Sequence, residues 1–371
     1  MKGMTVREIL ATTTRGLEEV SIEEIEEITG RESWVEHKGM VGIRGSEEDI
    51  IRLNIFGRTI YRVIMLLKRG KFRNLDDLYT ECRRVDFSRY IYRTQSFAVV
   101  PKRSGEHDFT SLDIGRIVGQ AIIDSYMESE GVRLKVNLRS PHIRVITEVR
   151  GERYWIGLDT TGERSLAKRG YRVFNHPAPL NPAIGYSLIK IAEWRSEESL
   201  LDPMCGGGTI PIEAARAALN KINERDFDFL RFYFLNRRKY LEILKSQEKP
   251  KGEIKWIEGS DINPKYIKGA LMNADKADVK SYVKFTVYDA CERPLDFEKI
   301  VVNLPYGVRT PRRGLKETYH CFSKNLKLYD WKCLVVMTAE GRLFKKIHGE
   351  PDREFKIQYG DLDTDLLIYH K

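Results

Sequence analysis

The sequence predicts an α/β protein in which two smaller mixed units precede a doubly wound parallel sheet. Three observations predict it. From residue 199 onward, short apolar strands alternate with helix-patterned stretches, as a chain of βαβ units requires. The first 68 residues run in the order βαββαβ, which is that of a ferredoxin-like unit. Four strands of the last part end in Asp202, Asp261, Asp289 and Asn303, at the edge where open α/β sheets bind ligands.

Composition narrows the class. At 371 residues the chain has room for two or three cores, and 42% hydrophobic with 32% charged residues describes a globular protein. No apolar run approaches the ~20 residues of a membrane span. The opening "MKGMTVREILATTTRG" has no sustained apolar segment or small-residue cleavage site, so a cytoplasmic location is expected. Five scattered Cys without a CxxC pair, and seven His without HExxH, argue against zinc; the odd Cys count argues against a disulfide framework. No metal is expected, and the chain is expected to act as a monomer. Lys and Arg exceed Asp and Glu by 63 to 54, a net charge of +9, which is compatible with a nucleic-acid partner.

In the first unit, residues 1–68, the strand "VREILATT" leads to a helix whose Leu17, Val20, Ile25 and Ile28 share one face and which Gly30 ends. Strands "SWVEH" and "MVGIR", the helix "SEEDIIRLNIF" and the strand "TIYRVIMLLKR" follow. Residues 69–160 begin with the helix "NLDDLYTECRRVDFSRYI" and the strand "SFAVVPKRS". A long helix carries Ile114, Val118, Ala121 and Ile122 on one face, and two strands, 132–140 and 142–160, close the unit. Lys102, Arg103, Arg116 and Arg144 would stud this unit with cations, either for RNA or as a solvated polar face. Residues 161–180 read as a basic linker containing Lys168 and Arg169, which would meet phosphates or solvent.

Residues 181–371 start with a helix capped by Asn181, with Pro182 in its first turn. The charged, aromatic insertion 220–253 should form one or two helices on the outer face of the parallel sheet, with Phe227, Phe229, Phe232, Tyr233 and Phe234 buried beneath them. A hairpin-like pair ends the chain.

The chemistry concentrates at the strand ends. In "DPMCGGGT" an acidic strand end, Asp202, is followed by Pro203, Cys205, three consecutive glycines with Gly206 and Gly208 at the ends, and Thr209 opening a helix. Glycines there bring backbone close to a ligand. The GxGxxG spacing and the GK[ST] of a P-loop are both missing, and an acid before the glycines suits a cationic ligand such as S-adenosylmethionine (SAM) better than a phosphate. Asp261, followed by Ile262, can accept from two ribose hydroxyls; the insertion accounts for its lying 59 residues beyond Asp202 instead of the usual ~20. Asp289, followed by Ala290, can receive the adenine amino group. The fourth strand, "KIVV", runs into "NLPYG": Asn303 offers an amide oxygen, Pro305 lacks an N–H, and Tyr306 offers a flat face for a base. Alone this is also an ordinary turn.

"DPMCGGGT", Asp261, Asp289 and "NLPYG" together resemble the Rossmann-fold, SAM-dependent methyltransferases that act on amino groups. The helix–strand–helix–strand–strand block ahead of them resembles a THUMP domain, a family that binds RNA. The whole chain is similar to the THUMP-containing tRNA guanine-N2-methyltransferases, particularly those acting at tRNA position 6. The wider family often has Asn/Asp-Pro-Pro-Tyr where this chain has Leu304 in second place. The resemblance implies that His176, Pro179 and Leu180 lie over the cofactor. It also implies that Asn303, Leu304, Pro305 and Tyr306 orient a flipped guanine, with Asn303 also near SAM. Three alternatives stay open: methylation of another tRNA or ribosomal RNA guanosine, an RNA-binding protein with an inert Rossmann half, and a DNA adenine methylase.

Overall fold

The computed structural model describes residues 6–246, 253–306, 312–360 and 362–371. The first five residues, residues 247–252 of the insertion and Gly307 lie outside them.

The first unit contains β1 (Arg7–Thr12), α1 (Glu18–Thr29), β2 (Ser33–His37), β3 (Met40–Gly45), α2 (Glu47–Phe56) and β4 (Arg62–Lys71). Local chemistry sets its boundaries. Gly30 takes a left-handed φ of 64° to close α1, and Ser46 and Asp49 form a reciprocal capping box at the start of α2. The second unit contains α3 (Leu75–Arg83), β5 (Ser96–Ser104), α4 (Ser111–Glu130), β6 (Lys135–Val136), β7 (Ile143–Arg150) and β8 (Arg153–Asp159). Antiparallel pairing of β4 with β8 joins the two units into one sheet, in the order β2-β3-β1-β4-β8-β7-β5-β6.

Two strand expectations are corrected here. Residues 132–140 yield only the two residues of β6, because Leu134 alone of that stretch is buried and little holds a longer strand. Residues 142–160 form a hairpin instead of one strand, turning at Gly151 with φ +53°.

The third part contains α5 (Pro182–Ile191), β9 (Ser199–Asp202), α6 (Thr209–Ala218), α7 (Arg237–Lys245), β10 (Trp256–Asp261), α8 (Pro264–Lys276), β11 (Lys284–Val287), β12 (Lys299–Asn303), α9 (Arg312–Leu326), β13 (Cys333–Thr338), α10 (Gly341–His348), β14 (Arg353–Tyr359) and β15 (Leu362–His370). Its sheet has the order β11-β10-β9-β12-β13-β15-β14. The first five strands are parallel; β15 and β14 run antiparallel. The sequence reading lacked α10, although Leu343, Phe344 and Ile347 carry a one-turn apolar signal.

The insertion is the largest correction. It does not cover the parallel sheet: Phe227, Phe229 and Phe232 are fully buried in the core of the first two units, with Leu235 and Ile243 of the same segment. The Asn223 amide donates to the Ile55 carbonyl at 2.9 Å and the Phe229 amide to the Thr160 carbonyl at 3.0 Å. Phe234 is partly buried, whereas Tyr233 is half exposed. The expected linker is also held, since Arg225 donates to the carbonyls of Arg164, Ser165 and Lys168. Finally, Cys291 and Cys321 are joined as a disulfide, with Cα atoms 5.1 Å apart. A count of cysteines could not foresee it, because the fold alone brings these two distant residues together.

Candidate active site

The parallel strands deliver their polar ends to one edge. Asp202 is buried at the end of β9, where the Met204 amide donates to its Oδ1 at 3.2 Å. Burial, and then the nearby Asp261 charge, raise its pKa well above the ordinary carboxylate value. The chain then turns through Gly206 and Gly208, both left-handed. A Cβ on Gly208 would lie 2.8 Å from the Phe285 ring, so this close turn needs glycine. The Gly206 amide donates to Asp261 Oδ2 at 3.0 Å and the Asn263 amide to Oδ1 at 2.9 Å. Asp261 therefore ties the end of β10 to the glycine turn, and burial raises its pKa too. Asp289 Oδ1 receives the Cys291 amide at 2.8 Å.

A strap, residues 173–180, crosses this edge. Asn273 of α8 latches it: its buried Oδ1 accepts the Val173 and Phe174 amides, each at 2.9 Å, while Nδ2 donates to the Gly207 carbonyl at 3.0 Å. The His176 ring meets Tyr266 edge-on at 4.2 Å, and Tyr359 donates to the Pro179 carbonyl at 2.8 Å. Sequence reasoning missed Asn273 because nothing in its spacing separates it from other polar residues of α8.

On the far side, Asn303 Oδ1 is buried without a hydrogen-bond partner among the described residues. Such an acceptor costs about 1–3 kcal/mol unless a ligand donates to it. The Leu304 side chain is buried, and its amide donates to the Met337 carbonyl at 2.9 Å. Tyr319, also missed, donates to the Pro305 carbonyl at 2.8 Å.

Between strap and strand ends lies a cavity of about 1000 Å³. His176, Pro179, Leu180, Asp202, Pro203, Cys205, Gly206, Thr209, Asp261, Ile262, Asp289, Ala290, Asn303, Leu304, Pro305 and Tyr306 all line it. Gly208 stands behind the wall, as the residue preceding α6. The Cys291–Cys321 pair also lines the cavity. Burial pushes the Cys205 thiol well up, so it is inert in this setting. Among the described residues no cluster of His, Cys, Asp or Glu could hold a metal ion.

The cations divide. Lys102 and Arg103 line a second cavity of about 570 Å³ together with Arg15, Lys38, Arg62 and Arg150. Lys168 is exposed, and Arg116 is exposed with a loose pairing to Asp113 at 3.5 Å. Arg144 and Arg169 are withdrawn from the RNA-contacting set. Arg144 pairs with buried Asp228, and Arg169 pairs with Glu213 at 3.2 Å, both side chains being at most 1% exposed. Their charge is neutralised inside the protein.

A glycine turn between acidic strand ends, in a sheet of this order, defines a Rossmann-fold SAM-dependent methyltransferase. Comparison with known proteins agrees. A family model for the RMKL-like methyltransferase domain matches residues 169–367, a THUMP domain model matches 72–159, and a model of the RlmL ferredoxin-like domain matches 8–64. A tRNA (guanine(6)-N2)-methyltransferase of Archaeoglobus fulgidus is 39% identical, covering 99% of this chain and 93% of its own. One from Methanocaldococcus jannaschii is 40% identical, covering 95% and 97%. The solved structure of SMU.472 complexed with SAH superposes with a TM-score of 0.90 over 100% of this chain and 99% of that one, at 23% identity. The chain belongs to the family of THUMP-containing, RMKL-like methyltransferases that includes these archaeal tRNA (guanine(6)-N2)-methyltransferases.

Proposed function

We infer that this protein transfers a methyl group from SAM to N2 of guanosine 6 in tRNA. The observation that carries the reading is the orphaned Asn303 Oδ1 beside the Leu304 backbone, at the wall of the cofactor cavity. The guanine amino group is a poor nucleophile because its lone pair is delocalised into the ring. Asn303 Oδ1 and the Leu304 carbonyl would accept its two N–H groups and turn the lone pair toward the methyl. SAM, when bound, supplies the electrophilic methyl on its sulfonium. Asp202 would face its cationic amine, Asp261 its ribose hydroxyls and Asp289 its adenine amino group. Tyr306 would stack on the base, which must leave the helix to reach the cavity. An amide is not a base, so Asn303 would only orient the amine. As the C–N bond formed, the methyl–sulfur bond of SAM would break to leave SAH, and the proton would then be lost from the cationic N2 to solvent.

Two further readings complete the proposal: the protein acts in the cytoplasm, and it acts as a monomer. No helix among the described residues is long and apolar enough to cross a membrane. Lys102, Arg103, Arg116 and Lys168 are the cations proposed to meet the RNA, and the domain limits 1–68, 69–160, 161–180 and 181–371 are those proposed for its parts.

Labelled SAM incubated with unmodified tRNA, followed by nucleoside mass spectrometry mapped to position, tests the activity. N2-methylguanosine at position 6 is expected; methyl at another nucleotide would overturn the site, and bound but unmethylated tRNA the enzyme. Asn303→Ala should lower kcat roughly 10²–10³-fold with SAM binding retained. Loss of SAM binding as well would assign Asn303 to the cofactor alone.

A further inference from the structure

The turn carrying Asn303 and Leu304 is held from behind by a hydrogen-bond chain whose direction the donors fix. The Glu340 amide donates to Thr338 Oγ1 at 3.0 Å. Thr338 Oγ1 lies 2.6 Å from Tyr319 Oη, which lies 2.8 Å from the Pro305 carbonyl oxygen. A carbonyl can only accept, so the one Tyr319 proton goes to Pro305. Thr338 must then donate to Tyr319 while it accepts from Glu340. Each hydroxyl donates once and accepts once, and the chain closes. Burial pushes the Tyr319 hydroxyl up to about 12, so its proton stays in place at neutral pH. The Leu304 amide is anchored in parallel, on the Met337 carbonyl of β13 at 2.9 Å.

We propose that Tyr319 is a positioning residue for methyl transfer, aligning the two acceptors of the amino group through the Pro305 carbonyl. Engaging Pro305 leaves the Leu304 carbonyl, which has no donor among the described residues, as the backbone acceptor beside Asn303 Oδ1. The two N–H groups of guanine N2 require two acceptors at a fixed separation, and the chain from β13 sets that separation. The proposal rests on the methyl-transfer reading above.

Tyr319→Phe and Thr338→Val in the full chain, assayed on unmodified tRNA, test it. The Phe variant keeps the ring that packs edge-on against Phe344 at 5.7 Å. Its kcat should fall roughly ten- to a hundredfold, with the tRNA KM and the SAH Kd within about twofold of the parent, since small misplacements cost rate before binding. Thr338→Val should lower kcat less, and Thr338→Ser should restore it. The double variant should be no slower than Tyr319→Phe alone, because both remove one chain. An unchanged kcat in Tyr319→Phe, a parallel loss of SAH binding, or additive losses in the double variant would overturn the positioning role. Absence of transfer by the parent protein would instead overturn the activity on which it rests.

Discussion

The two sheets use the same kinds of element to opposite ends. The eight-stranded sheet is mostly antiparallel, so successive strands leave it at opposite edges and their C-terminal ends are divided between the two. Its exposed surface is laced with ion pairs instead, as where Arg69 bridges Glu8 and Glu36 at 2.9 Å each. In the seven-stranded sheet five parallel strands release the chain at one edge, and Asp202, Asp261 and Asn303 meet there. Parallel pairing gathers the C-terminal strand ends into one cleft, whereas the polar cavity beside the eight-stranded sheet is lined by strand ends of both directions and by loops. Stability is arranged differently: the catalytic half lends Phe227, Phe229 and Phe232 to the other half's core. The halves are chemically separate but share their packing.

Phe229→Ala gives the largest expected effect and tests that sharing. The ring is buried, stacked on Phe227 at 5.0 Å and edge-on to Tyr240 at 5.6 Å. Its removal should cost about 3–5 kcal/mol, read from denaturant unfolding. Because the insertion joins both halves, one transition should shift as a whole, with kcat per folded molecule unchanged. Two transitions, only one of them shifted, would show that the halves are independent.

Legibility in the sequence follows the same division. The strand-end acids and the glycine turn were readable because backbone direction places consecutive strand ends together, and the motif lies within the chain itself. Asn273, Tyr319 and Thr338 were not, because each works through a contact that only the fold creates: a latch onto the strap and a prop behind Pro305. The insertion misled for a related reason. Aromatic spacing announces burial but does not say which core is short of side chains. Arg144 and Arg169 failed similarly, since their sequence neighbours do not reveal Asp228 and Glu213, 84 and 44 residues away.

Asn273→Ala should have the next largest effect, and it sharpens the comparison from the catalytic side. It leaves two strap amides and the Gly207 carbonyl without their partner, within a helix whose own core is intact. Unmade buried hydrogen bonds cost about 1–3 kcal/mol each, part of which water recovers once the strap loosens. SAH affinity should fall on the order of tenfold by calorimetry, with tRNA affinity and the eight-stranded sheet unaffected. An equal loss of tRNA affinity would mean that the strap serves both ligands.

The smallest effect separates α10 from β1 and β3 by pH. His348 of α10 stacks on Phe344 at 5.2 Å and lies 2.9 Å from Ser323 Oγ through Nδ1. Burial, helped by the Lys327 charge, lowers its pKa from 6.5 to about 4. The unfolded chain therefore binds the proton more readily, so the stability this residue contributes is present above pH 6.5 and is lost as pH falls toward 4. Glu24 and Asp159 in the other half have the opposite sign, because burial raises both and favours their protonated forms. Hydrogen exchange at pH 4.5 should thus show α9 and α10 losing protection before β1 and β3. His348→Phe should flatten the acid loss around α10 and leave β1 and β3 as they were. A uniform loss of protection across both sheets would show that shared packing, and not the local charge on His348, governs acid opening.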